Sequence, residues 1–203
     1  MALQFVFDYR SPYAYLASTR VADLATDIEY QPVDILAVMR KVNNRPSPEC
    51  PAKARYARLD AGRWARHYGV PLTPNAAVMQ AMAKQAFDGA WLCRAGLAAI
   101  ELGVFDLAHP ALFGAMWAGH DDLLSAEGRA TFLRARGIDA DIWDRAESAH
   151  IRDRLAQQSD AAAARGVFGV PSFFVGTELF FGNDRLDFVR ATLQPSITEG
   201  VHP

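Results

Sequence analysis

Four residues, Ser11-Pro12-Tyr13-Ala14, stand where an apolar, β-rich run from Leu3 to Phe7 gives way to apolar residues at helical spacing. A serine there serves as a helix N-cap, and Pro12 occupies the first helical position, where its missing N–H costs nothing. A hydroxyl both accepts and donates. Ser11 can therefore accept from the N–H of Tyr13 or Ala14 and still turn its own proton toward a ligand. A helix N-terminus favours negative charge by about 0.3–1 kcal/mol, and up to ~2 kcal/mol when partly buried. The chemistry on offer is stabilisation of an anion, a thiolate included, although plain helix capping accounts for the same residue. No G-x-S-x-G pattern or evident base partner supports a nucleophilic serine.

Other candidates are weaker. The stretch from Met39 to Pro48 gathers Arg40, Lys41, Arg45, Asn43, Asn44 and two prolines, which reads as a loop. It is either a solvated connector or an anion-recognition loop, since amides and cations suit a carboxylate-bearing ligand. Cys50 and Cys93 form no C-x-x-C pattern, so neither a disulfide framework nor a zinc site is implied. The five histidines show no metal-ligand spacing and are expected at the surface or at helix ends; no metal site is expected. Asp121-Asp122 follows a glycine and reads as a loop start rather than an acid/base pair. Arg55, Arg58, Arg63 and Arg66 read as a solvated helix face.

Composition bounds the function. The chain has 203 residues, is 51% hydrophobic and 22% charged, and carries a formal net charge of −2. That is enough to bury a substantial core in one domain, or in one domain with a large insertion. The charge favours neither nucleic acid nor an anionic membrane surface. With no basic leader followed by an apolar run, and no membrane-length apolar stretch, the expected location is cytoplasmic.

The elements that must position Ser11 follow from periodicity. Tyr13, Leu16, Ala17, Val21 and Leu24 predict a helix reaching Asp27, and Ile28 to Ile35 predicts a second strand, at a sheet edge because of its proline. Helices are expected at 52–68, 76–85, 87–102, 107–118 and 127–136, with one or two more between Asp139 and Arg165. The apolar run from Val167 to Val175, then Gly176-Thr177 and Leu179-Phe180-Phe181, predicts a hairpin. A last helix carries Leu186, Val189 and Leu193, with Asn183 or Asp184 at its cap, and the tail after Pro195 is expected to fray. The order β-α-β, a long helical stretch, then β-β-α describes an α/β, thioredoxin-like fold with a large all-helical insertion. Its discontinuous thioredoxin-like domain covers 1–36 and 166–203, and the inserted helical domain covers 37–165.

Three motifs carry a resemblance: Phe7 through Ala17, Arg63 through Pro71, and Gly166 through Pro171 together with Phe181 through Leu186. In this order they resemble the 2-hydroxychromene-2-carboxylate isomerases, which group with the kappa-class glutathione transferases and the DsbA-like proteins. Redox members of that group carry C-x-x-C where this chain has Ser11 and Ala14. Dithiol chemistry is impossible there, and the resemblance implies that the working sulfur comes from glutathione.

Lowering a thiol pKa from near 8.5 by about two units needs roughly 2.7 kcal/mol of differential stabilisation. A hydrogen bond from Ser11 to a charged acceptor, about 1.5–3 kcal/mol, plus the helix dipole can supply it. The resemblance further implies a cis Pro171, with the Val170 backbone pairing with the tripeptide. It sets Asn183 and Asp184 at the γ-glutamyl end, and Asn44 as a loop contact. The family's lysine and glycine before that asparagine are here Arg40 and Asn43, with Lys41 adjacent. Arg40 or Lys41 would meet the substrate carboxylate, and Tyr9, Tyr13, Trp64, Trp117 and Phe168 are candidates for an apolar wall.

The implied activity is a glutathione-dependent cis–trans isomerisation of 2-hydroxychromene-2-carboxylate to trans-o-hydroxybenzylidenepyruvate in aromatic catabolism. A kappa-class glutathione transferase and a non-catalytic thioredoxin-like module binding glutathione or a peptide are the alternatives. By analogy with the kappa class, a homodimer is expected.

Overall fold

The computed structural model describes residues 2–139 and 141–194. Strand β1 (Leu3–Phe7) leads into helix α1 (Pro12–Val21), strand β2 (Ile28–Pro32) and helix α2 (Ile35–Lys41). Helices α3 (Pro51–Tyr68), α4 (Ala76–Ala83), α5 (Ala90–Glu101), α6 (Phe105–Trp117), α7 (Ala126–Ala135), α8 (Ile142–Ala146) and α9 (Ala149–Ala164) follow. Strands β3 (Ser172–Val175) and β4 (Glu178–Phe181) form the hairpin, and α10 (Leu186–Leu193) closes the described chain. The sheet order is β2-β1-β3-β4. β1 runs parallel to β2 and antiparallel to β3, and β3 runs antiparallel to β4. This is the mixed thioredoxin-like sheet expected from the order of elements, with β2 at an edge.

Both faces of the sheet are covered. One carries α1 and α10 through Leu16, Val21, Leu186 and Val189, and it continues into the helical stretch through Leu97, Leu112, Phe113 and Met116. The other is packed by Val38 of α2 and Ala162 of α9 against Val6 and Phe174. The Arg165 guanidinium lies 3.6 Å from the Phe174 ring centroid. Among the described residues no helix is long and apolar enough to cross a membrane.

Several boundaries differ from expectation for local reasons. α1 stops at Val21, because Asp23 and Leu24 bond back three residues in a tighter turn. Leu24 still reaches the core from that turn, which is why its spacing mimicked a continuing helix. β2 ends at Pro32 and Ile35 opens α2, because the Asp34 carboxylate accepts the Leu36 N–H at 3.1 Å and caps a helix there. The expected loop from Met39 therefore begins with the last turn of α2. The stretch after Asp139 breaks into two helices at Ser148, whose hydroxyl accepts the Ile151 N–H and starts α9. Neither Asn183 nor Asp184 caps α10: residues Asn183–Arg185 form a 3-10 turn of their own ahead of it. The tail after Pro195, and His202 with it, lies outside the described residues.

Candidate functional site

The Ser11 turn is held from below by a buried carboxylate. Asp8 ends the β1 run with no exposure, where an isolated charge would be prohibitive. It accepts the Arg10 N–H at 2.8 Å, Arg10 Nε at 2.9 Å and the Ile35 N–H at 3.0 Å. Arg10 also reaches Asp34 at 2.6 Å, which joins the turn to the start of α2. Burial opposes the charge on Arg10, but Asp8 beside it outweighs that and keeps its pKa above the ordinary value. The Ser11 N–H then donates to the Asp8 carbonyl at 3.0 Å. Motif reading missed Asp8 and Arg10; the available signal was a carboxylate directly after an apolar strand, with a cation two positions on.

Ser11 itself is the N-cap of α1. Its oxygen accepts the Ala14 N–H at 3.2 Å, and Pro12 takes the first helical position. The hydroxyl donates to the Val170 carbonyl at 3.3 Å, a long and weak bond that a better acceptor would displace. The Val170-Pro171 peptide bond is cis, and it brings the Val170 carbonyl against the leading end of α1. The Pro171 carbonyl accepts the Gly182 N–H at 2.9 Å, so the same segment anchors the approach to Asn183.

Asn183, only 3% exposed, lies in the turn that packs against α1. Its carbonyl accepts the Tyr68 hydroxyl at 3.1 Å, while its buried side-chain Nδ2 has no acceptor among the described residues. Asp184 beside it is exposed and pairs with Arg185 at 2.7 Å. On the other flank, Asn43 takes a left-handed conformation, φ 54°, which asparagine tolerates where glycine would be the usual choice. That turn lets Asn44 Nδ2 donate to the Phe168 carbonyl at 2.7 Å, binding the loop after α2 to the segment before Pro171. Ser11, Asn44, Phe168, Val170, Pro171 and Asn183 are thereby joined into one neighbourhood by direct contacts and chain continuity.

The two cations part company. Lys41 pairs with Asp160 of α9 at 2.5 Å, whereas Arg40 is exposed and forms no ion pair among the described residues. The aromatic candidates divide as well. Tyr9 and Trp117 belong to the core: the Tyr9 hydroxyl meets His109 Nδ1 at 3.1 Å, and Trp117 Nε1 donates to the Tyr9 carbonyl at 2.7 Å. They are corrected from wall to interior, since an aromatic residue type alone does not fix which side it faces. Tyr13 is half-buried and donates to Asp60 at 3.1 Å; Trp64 is half-buried against Tyr68, with centroids 5.3 Å apart. Phe168 is 42% exposed and leans on Phe181, itself 41% exposed, at 4.6 Å. Phe181 went unremarked among the candidates, because strand alternation alone does not reveal that it emerges beside the site.

The remaining chemistry-bearing residues are structural. Cys93 is buried against the Asp8 turn, and burial and then Asp8 push its thiol well above the ordinary range. Cys50 precedes α3, so neither thiol occupies the Ser11 turn. His109, expected near the surface, is buried among Phe7, Tyr9, Phe105 and Phe113, and burial lowers its pKa to about 3. Asp121 pairs with Arg136 at 2.7 Å, and Asp122 accepts the backbone N–H groups of Leu124 and Ser125. Among the described residues no group of three or more His, Cys, Asp or Glu could hold a metal ion. Two cavities, about 390 Å³ beside α7 and about 700 Å³ along β2, contain none of Ser11, Val170 or Asn183.

Residues 2–194 match the family model described as the DSBA-like thioredoxin domain. A 2-hydroxychromene-2-carboxylate isomerase of Pseudomonas putida is 32% identical over 95% of this chain and 94% of its own length. Glutathione S-transferase kappa 1 of Caenorhabditis elegans is 26% identical, covering 95% of this chain and 90% of that protein. A solved structure of a 2-hydroxychromene-2-carboxylate isomerase superposes with a TM-score of 0.78 at 28% identity, over 95% of this chain and 94% of the other.

Proposed function

The chain belongs to the DsbA-like thioredoxin domain family and, within it, to the 2-hydroxychromene-2-carboxylate isomerases, and on that premise we propose that it is a glutathione-dependent cis–trans isomerase. Its substrate in this reading is a small aromatic carboxylate, 2-hydroxychromene-2-carboxylate, and its product is trans-o-hydroxybenzylidenepyruvate. The observation that carries the reading is the half-buried Ser11 hydroxyl at the leading end of α1, weakly bonded to the carbonyl before cis Pro171. By the family resemblance, it stands where redox members carry the first cysteine of C-x-x-C.

The donor set fits glutathione. Asn183 has a buried amide N–H group with no acceptor among the described residues, at the turn where the γ-glutamyl end would lie. The exposed Asp184 carboxylate, paired with its neighbour Arg185, suits an ammonium group. When bound, glutathione would supply a thiolate able to add to the substrate's double bond and leave again, so that no thiol is consumed.

This chain's residues have distinct tasks around that chemistry. Ser11 exchanges its long bond to Val170 for one to the anionic sulfur, and the α1 N-terminus adds its partial positive charge. The Val170 backbone, beside the Ser11 hydroxyl, pairs with the extended tripeptide as a strand edge would. Asn44 fixes the distance between the α2 loop and the Phe168 segment. Arg40, without an ion pair among the described residues where Lys41 is occupied by Asp160, is the better placed cation for the substrate carboxylate, and Phe168 offers its ring an apolar surface.

The test is an absorbance assay of chromene isomerisation with and without added glutathione, with thiol titrated before and after. The expected result is turnover that requires glutathione and leaves its concentration unchanged. Undiminished turnover without glutathione would overturn the reading. Thiol consumed one-for-one with substrate would instead assign a kappa-type transferase, the activity in the name of the Caenorhabditis elegans relative.

A further inference from the structure

Tyr68 ends α3, far in sequence from both Ser11 and Asn183, yet it touches the elements that carry them. Its hydroxyl donates to the Asn183 carbonyl at 3.1 Å. Its own carbonyl accepts from Arg20 of α1, whose guanidinium also lies 5.1 Å from the Tyr68 ring centroid. Trp64, one turn back, packs against the ring and fixes its orientation. Gly69 follows in the left-handed region, φ 67°, and terminates α3 so that Tyr68 sits at its end.

From this geometry we infer that Tyr68 is a positioning residue for the glutathione site, clamping the 183–184 turn against α1 so that its donors face the γ-glutamyl end. The inference rests on the glutathione reading proposed above. The turn needs such a clamp. Asn183–Arg185 is a single 3-10 turn with no side-chain cap, and Gly182 before it lies at φ 109°, a conformation most residues avoid. Among the described residues the buried Nδ2 of Asn183 has no acceptor to hold the side chain in place. The Tyr68 hydroxyl supplies a fixed bond to this turn from the helical stretch. Burial raises the phenol pKa, so the group remains a donor at neutral pH.

The experiment is calorimetric titration of the full chain with glutathione, for the parent protein and Tyr68→Phe, alongside steady-state kinetics. Loss of the hydroxyl is expected to weaken glutathione binding about tenfold, the equivalent of roughly 1.4 kcal/mol. KM for glutathione should rise in step, while kcat at saturating glutathione stays within about twofold, because Ser11 is untouched. A purely structural tyrosine would lower the unfolding midpoint without that split. Should Tyr68→Phe fail to fold, Arg20→Met removes the grip on Tyr68 from the α1 side and is expected to give a smaller shift of the same kind. Parent and variant binding glutathione equally well would overturn the inference while leaving the glutathione reading intact. Absence of binding to the parent itself would overturn both.

Discussion

Two hydroxyl groups, two positions apart in sequence, live in opposite surroundings. Tyr9 is fully buried, its hydroxyl set against His109 and its carbonyl taken by Trp117. Its ring is packed so closely on α5 that a Cβ added to Gly96 would stand 2.8 Å from the phenol oxygen. Ser11 is half-exposed, and both of its side-chain bonds are longer than 3 Å. Rigidity lies below the turn and exchangeable bonding lies on top of it. A group that must change partners during a reaction needs weak bonds of its own and a scaffold that does not yield.

Removing the scaffold should do the greatest damage. Asp8→Ala leaves the Arg10 cation without its closest partner and is expected to cost about 3–5 kcal/mol of stability, read from urea unfolding. A loss below about 1 kcal/mol would mean that Asp34 alone can hold Arg10 and that the region below the turn is less exacting than its burial suggests.

Ser11→Ala sharpens the contrast from above. Isomerisation at saturating glutathione should fall about 10²–10³-fold, the effect of deleting a donor aimed at developing charge. Stability should drop by only about 1 kcal/mol, the usual cost of losing an N-cap. Unchanged turnover would reduce Ser11 to a helix cap.

The smallest effect concerns pH. The folded pKa of His109, about 3, lies below its ordinary value of 6.5, so between the two the unfolded chain binds a proton that the folded chain refuses. Stability is therefore fully present above about pH 6.5 and declines as pH falls, at up to about 1.4 kcal/mol per pH unit, or ~2 kcal/mol by pH 5. In His109→Phe this contribution to the acid slope of the unfolding free energy should vanish. An unaltered slope would show that the aromatic cage admits water.

These contrasts also mark how far the sequence could be read. The Ser11 cap and the β3–β4 hairpin were legible because each depends on residues within a few positions. The Asp8–Arg10–Asp34 network was not, since it joins the end of one strand to the start of a helix that resembled a continuing strand. His109 was misplaced because the Phe7, Phe105 and Phe113 rings that bury it come from separate elements, and nothing near His109 in the chain announces them. Tyr9, Trp117 and Phe168 were equal candidates as aromatic residues, and only tertiary packing separated core from surface. The proposed glutathione contacts came from resemblance rather than from spacing.

The central strand β1 is flanked by β2, which follows it closely, and by β3, which comes from the far end of the described chain. Ser11 accordingly meets Val170 across a separation of 159 residues. On a ribosome adding about 5–20 residues per second, the first half of the site emerges many seconds before its complement. A nascent chain that has reached only α9 presents the serine with nothing opposite it. In the proposed reading the site is complete only once the segment from Val170 to Asp184 has joined the sheet, so premature termination anywhere in the helical stretch is expected to yield a silent fragment rather than a partial enzyme.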